Sequence, residues 1–264
     1  MEFRTRVDVG ELPLQIEPME PLLFVGSCFA ENIGRRFAEE QFRATVNPFG
    51  VMYNPASILH TIERCAEVPR IVFLTLGTNH VYRLKETGEI VDNCQKRPAA
   101  LFSEEALSVD ECFGYLSRAV SLLADRQPQV RVVVTVSPIR YRKYGYHGSQ
   151  LSKAVLLLAA DRLQQAYPFV HYFPAYEIVN DELRDYRFYA PDMLHPSEQT
   201  ADYLWERLSA VCLSDRARQF LAEWQPVKQA LAHRPFNAES EEYRQFRQQA
   251  LDRLAALQAK YGRE

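Results

Sequence analysis

The unbroken β-branched run Val132-Val133-Val134-Thr135-Val136 limits the fold of this chain more than any other stretch. Such residues crowd a helix and suit a strand, and with no polar face to offer water the strand must be covered on both sides. Similar short runs recur: Leu22-Leu23-Phe24-Val25 stops at Gly26, Ile71-Val72-Phe73-Leu74-Thr75-Leu76 stops at Gly77, and a shorter one occupies 169–172. Segments of helical period lie between them. One spans 30–38 and puts Ala30, Ile33 and Phe37 on one face. Another starts at Asn54-Pro55, a capping residue with proline at the first helical position, and aligns Ile58, Leu59, Ile62 and Cys65. Further helices are predicted over 103–123, 151–167 and 198–213, and a hairpin over 81–91 around Gly88. Strands alternating with helices build a mainly parallel sheet covered by helices, an α/β fold.

At 264 residues the chain suits one main domain, here 1–214, with a helical extension over 215–264. The extension is rich in Gln, Ala and Arg, and reads as helices at 217–233 and 240–261 separated by Pro235-Phe236-Asn237. Those helices could pack on each other, on the core or on a second subunit, so a homo-oligomer through them stays open. Lys plus Arg number 31 against 34 Asp plus Glu, which recommends neither a nucleic acid nor an anionic membrane as partner. A small-molecule or carbohydrate substrate fits better. Residues 1–21 carry no continuous apolar core of a signal peptide, and no apolar run is long enough to span a bilayer. Five scattered cysteines without a C-x-x-C pair argue against disulfides and zinc, which points to a reducing, cytoplasmic setting with no metal or other cofactor.

In parallel sheets, ligands bind at the carboxyl ends of the strands. Ser27 follows the first strand, Asn79 follows the Ile71 strand, and His195 precedes the helix at 198. Asp192-Met193-Leu194-His195 can fold on one tight turn so that the carboxylate fixes the imidazole's tautomer and leaves its other nitrogen free to accept a proton. Ser27, Asp192 and His195 then form a hydrolytic triad in the order Ser…Asp…His. An isolated Asp-x-x-His also caps helices, a serine after a strand also caps the next helix, and Cys28 is a competing nucleophile beside Ser27.

Gly26-Ser27-Cys28-Phe29-Ala30-Glu31 spells the signature of the GSCFA family. Asn47-Pro48-Phe49-Gly50-Val51-Met52-Tyr53-Asn54-Pro55, Leu76-Gly77-Thr78-Asn79-His80-Val81-Tyr82 and Val136-Ser137-Pro138-Ile139-Arg140 resemble its further blocks, in order, over about 24–208. That family is similar to the SGNH/GDSL hydrolases and to polysaccharide O-acyl esterases. The resemblance implies a three-layer α/β/α fold and ester hydrolysis through an acyl-enzyme, with Ser27 as nucleophile, His195 as base and Asp192 as its orienting partner. It also implies an oxyanion hole from the backbone of Ser27, the backbone of Gly50 and the side chain of Asn79, with Asn93 as an alternative to Asn79. In two places the chain departs from the GDSL pattern: the residue before Ser27 is Gly26 rather than Asp, and His80 stands where that pattern has Asp.

After the Val132 strand, Arg140, Tyr141 and His147 stand in a polar aromatic cluster of the kind that grips a sugar or a carboxylate. The expected activity is a serine esterase acting on an acyl ester, such as an acetate, of a carbohydrate or other hydroxylated compound. A catalytically silent glycan- or metabolite-binding protein is the alternative.

Overall fold

The computed structural model describes residues 3–92, 94, 97–237 and 239–262. Its centre is a five-stranded, all-parallel sheet in the order β2-β1-β3-β7-β8, made of β1 (Pro21–Gly26), β2 (Arg43–Val46), β3 (Ile71–Leu76), β7 (Arg131–Val136) and β8 (Val170–Tyr172). Alternate side chains of the apolar runs go to opposite faces, as the two-residue period of a strand requires. Val72, Leu74, Val132 and Val134 join the layer of α2 (Pro55–Arg64), α3 (Val109–Arg126) and α4 (Gly145–Ala166), while Leu22, Phe24, Ile71 and Phe73 join that of α1 (Cys28–Glu39) and α6 (Glu198–Cys212). The second layer is aromatic: Phe24 stacks on Phe73 with centroids 4.5 Å apart, and Phe37 meets Trp205 edge-on at 4.5 Å. The three-layer α/β/α architecture is the one expected.

The chain winds from β1 to one side for β2 and to the other for β3, so the sheet's switch point lies beside the carboxyl end of β1. A second, antiparallel sheet in the order β5-β4-β6 rises from that edge, built from β4 (His80–Leu84), β5 (Ile90–Val91) and β6 (Phe102–Ala106). The β4–β5 hairpin was expected; β6 corrects the helix expected from residue 103. Ser103-Glu104-Glu105-Ala106 contains good helix formers, but pairing with β4 overrides that preference, and α3 starts later behind a capping box formed by Ser108 and Glu111. Short β2 and the small helix α5 (Ala175–Glu177), with its wider continuation Ile178–Leu183, also went unread in the sequence.

The last two helices, α7 (Asp215–Ala232) and α8 (Glu241–Tyr261), pack on each other through Phe220, Trp224, Val227, Leu257 and Tyr261. Lys228 Nζ and Gln225 Nε2 reach the carboxylate of Glu40, at the end of α1, at 2.6 and 2.9 Å. No helix among the described residues is long and apolar enough to cross a membrane.

Candidate active site

Gly26 sets the geometry of the β1–α1 turn. Its φ of +141° lies where side chains are disfavoured, and a Cβ there would fall 2.2 Å from the Thr75 carbonyl oxygen. Because Gly26 is in register with Thr75, the next residue is stitched to β3. The Ser27 N–H donates to Thr75 O at 3.1 Å and to Thr75 Oγ1 at 3.0 Å, and Ser27 Oγ pairs with Thr75 Oγ1 at 3.1 Å. Ser27 Oγ also accepts the Phe29 N–H at 3.3 Å, which makes Ser27 the cap of α1 and leaves the residue only 1% exposed. Cys28 opens the helix and is half-buried.

The opposite wall carries the Asp192–His195 turn. Asp192 Oδ2 holds His195 Nδ1 at 2.6 Å, while Oδ1 accepts the N–H groups of Leu194 and His195 at 2.9 and 3.0 Å. The N–H of His195, that of Leu194 and the imidazole together hold the Asp192 carboxyl well below the usual carboxylate range. The carboxylate therefore fixes one ring nitrogen and leaves Nε2 to face a reactant. Ser27, Cys28 and His195 line one cleft of about 610 Å³, although among the described residues neither Ser27 nor Cys28 is hydrogen-bonded to His195.

The three expected oxyanion donors are engaged elsewhere. The Ser27 N–H is spent on Thr75. The Gly50 N–H closes a turn onto Asn47 O at 2.8 Å, a turn anchored by the Gly26 N–H donating to Asn47 Oδ1 at 2.9 Å. Asn79 is 4% exposed, donates Nδ2 to Leu107 O at 2.6 Å and, like Gly50, lies off the cleft; the strand β6 brings that carbonyl to it. The alternative donor, Asn93, lies outside the described residues. The neighbouring Val51 does line the cleft, and its N–H makes no hydrogen bond among the described residues.

Of the expected substrate contacts, Tyr141 lines the cleft, whereas His147 is exposed on the first turn of α4 and stands off it. Arg140 reaches the cleft, but its polar groups serve the protein. Its N–H donates to Leu194 O at 3.0 Å and Nη1 to Met193 O at 3.0 Å. The guanidinium carbon sits 4.4, 5.3 and 5.5 Å from the ring centroids of Tyr146, Tyr186 and Tyr189. Arg140 therefore clamps the turn that carries His195, a role its position after a strand does not announce.

Three further features were not read from the sequence. Lys153, a polar position midway along α4, turns inward and donates Nζ to Gly77 O at 2.7 Å and to Ser137 O at 2.8 Å, joining the carboxyl ends of β3 and β7 beneath the cleft. Burial lowers its ammonium to about 7. His60 Nδ1 pairs with Asp92 Oδ1 at 2.7 Å at the cleft's rim, and that hydrogen bond raises the pKa of His60. His80 stacks on Tyr144 at 3.8 Å, and burial lowers its pKa. Only the apolar residues flanking Lys153 hinted at its burial; the His60–Asp92 pair spans too much sequence to leave a local signal.

The parallel α/β/α fold thus brings an imidazole–carboxylate pair and two nucleophilic side chains to one carboxyl-edge cleft, the place where such folds bind ligands. The chain is a member of the GSCFA family, which matches residues 21–70 and 67–208; the C-terminal domain of GSCFA domain proteins matches 224–263. Among solved structures, a protein from Lactobacillus plantarum is similar at 13% identity and a TM-score of 0.52, over 74% of this chain and 97% of the other. A mutant of Axe2, an acetyl-xylooligosaccharide esterase from Geobacillus Stearmophilus, is similar at 15% identity, TM-score 0.45, over 75% and 96%. A carbohydrate esterase family 3 structure from Talaromyces cellulolyticus shares 11% identity, TM-score 0.41, over 77% and 99%. No curated protein matches the chain.

Proposed function

We propose that this protein hydrolyses acyl esters through an acyl-enzyme, with His195 as the base and Asp192 orienting it. The observation that carries the reading is the 2.6 Å contact from Asp192 to His195 Nδ1 on the cleft that also receives the β1–α1 turn. The family resemblance assigns the attack to Ser27. In the cycle, the nucleophile's proton passes to His195 Nε2 as its heteroatom bonds to the ester carbonyl carbon, and the imidazolium then protonates the departing alcohol. Water repeats the sequence on the acyl-enzyme, releasing the acid and restoring the nucleophile. The N–H of Val51, without a hydrogen-bond partner among the described residues, is suited to receive the oxyanion in place of Gly50.

An aromatic wall of Tyr53, Tyr82, Tyr141 and Tyr144 borders the cleft and suits an acetylated carbohydrate or other hydroxylated compound, because sugar rings present C–H faces to aromatic rings. The test is a panel of acetylated sugars and short-chain aryl esters, assayed for acid release with His195→Ala as control. Turnover that falls about a thousandfold in the variant is the expected result. Ligand binding without acid release would make the protein a silent binding protein.

A further inference from the structure

We infer that the attacking atom is the thiol of Cys28 and not the hydroxyl of Ser27, an assignment that rests on the esterase reading of the cleft. Ser27 already has structural work. Its hydroxyl pairs with Thr75 Oγ1 at 3.1 Å and caps α1 through the Phe29 N–H at 3.3 Å, and its own N–H is bonded to Thr75. To attack an ester, that hydroxyl would have to abandon the cap and the stitch to β3, from a residue 1% exposed.

Cys28 has no such duty. It is the first residue of the 12-residue helix α1, it lines the cleft that His195 faces, and it is less enclosed than Cys65, Cys112 and Cys212. The N–H groups of Cys28 and Phe29 and the Lys153 ammonium favour its thiolate, while burial and the Glu31 carboxylate oppose it. Burial is the largest influence and pushes the thiol up to about 11. A thiol protonated at rest needs a base at the moment of attack, which is the part His195 offers; the N-terminus of α1 then faces the charge on sulfur, which Lys153 favours from beneath the cleft.

The balance is that of thioester chemistry. Cys28 Sγ gives its proton to His195 Nε2 and forms the C–S bond, the carbonyl electron pair moves onto oxygen, and collapse breaks the C–O bond. The alkoxide leaves with the proton from His195. Water then gives a proton to His195 and bonds to the thioester carbon; the C–S bond breaks and the sulfur takes that proton back. No oxidant, reductant or co-reactant other than water is required.

The test is acid quenching during turnover of p-nitrophenyl acetate, followed by peptide mapping. The expected result is acetyl on the Cys28 peptide, removed by neutral hydroxylamine, with Cys94, the other thiol on the cleft, unmodified. Cys28→Ala is expected to lower kcat by about a thousandfold or more, and Ser27→Thr, which keeps a capping hydroxyl, by less than about tenfold. Iodoacetamide on the unaltered protein should block turnover in step with alkylation of Cys28, a readout independent of whether any variant folds. Acetyl on Ser27, or fluorophosphonate labelling of Ser27 with Cys28→Ala still active, would overturn the thiol and leave the esterase standing. Absence of both turnover and adduct with every ester would overturn the two together.

Discussion

The two walls of the cleft are held by different means. The β1–α1 turn is anchored to the central sheet: Gly26 fits only because it lacks a Cβ, and Ser27 is bonded to Thr75 through both backbone and side chain. The Asp192–His195 turn lies on the surface, with both side chains 46% exposed, and is held by its own carboxylate and by Arg140. Anchoring to the sheet ties the first wall's geometry to global stability. A surface turn held by its own carboxylate, by Arg140 and by short backbone bonds such as Ala190 N–H to His195 O at 2.8 Å can lose its geometry while the fold persists.

The comparison breaks most sharply in a pair of substitutions. Gly26→Ala is expected to cost about 3 kcal/mol or more of stability, read from the urea midpoint, because its methyl collides with the Thr75 carbonyl in a backbone conformation that disfavours side chains. His195→Ala is expected to leave that midpoint unchanged while lowering kcat about a thousandfold. Similar stability losses in both variants would erase the distinction between the walls.

A smaller effect is expected at Arg140. Arg140→Ala should lower kcat by roughly ten- to a hundredfold with KM little changed, since the base is displaced rather than the substrate contacts removed. Arg140→Lys should recover only part of the loss, because an ammonium lacks the planar fork that stacks among the three tyrosines. A change confined to KM would return Arg140 to substrate binding.

The smallest and most specific effect concerns Lys153. Its folded pKa, about 7, lies below the unfolded value of 10.5, so between those pH values the unfolded chain binds more protons at this site. Burying the charged form is a penalty fully present below about pH 7 and relieved as pH rises toward 10.5. Stability measured by urea unfolding should therefore gain a positive slope over that window, and Lys153→Met should flatten it. An unchanged slope in the variant would show that the ammonium beneath the cleft is not the source.

Local patterns in the sequence carried the architecture. The β-branched run at 132–136 reads as a doubly covered strand because both of its faces are apolar, and the helix at Pro55 is announced by Asn54, whose Oδ1 accepts the Ser57 N–H at 2.9 Å. The pairing of Asp192 with His195 was legible for the same reason: one turn contains both partners. β6 was not legible, because pairing with β4, well back in the chain, decides it against the preference of its own residues. The partners of Gly50 and Asn79 were not legible for a similar reason. Both residues stand where the family blocks put them, but Asn47 and Leu107 claim their N–H groups.

By itself, then, the sequence determined much of what depends on neighbours a few residues apart: most of the central strands and the helices on them, their caps and the carboxylate–imidazole turn. Only the tertiary structure decided what depends on contacts across tens of residues. Those include the bonding of Ser27 to Thr75, the placing of Cys28 at the cleft, the clamp of Arg140 on the His195 turn and the burial of Lys153 under strands β3 and β7. The physical reason is that a side chain's duty is set by the hydrogen-bond partners and the solvent left to it after packing, and packing is a property of the whole chain.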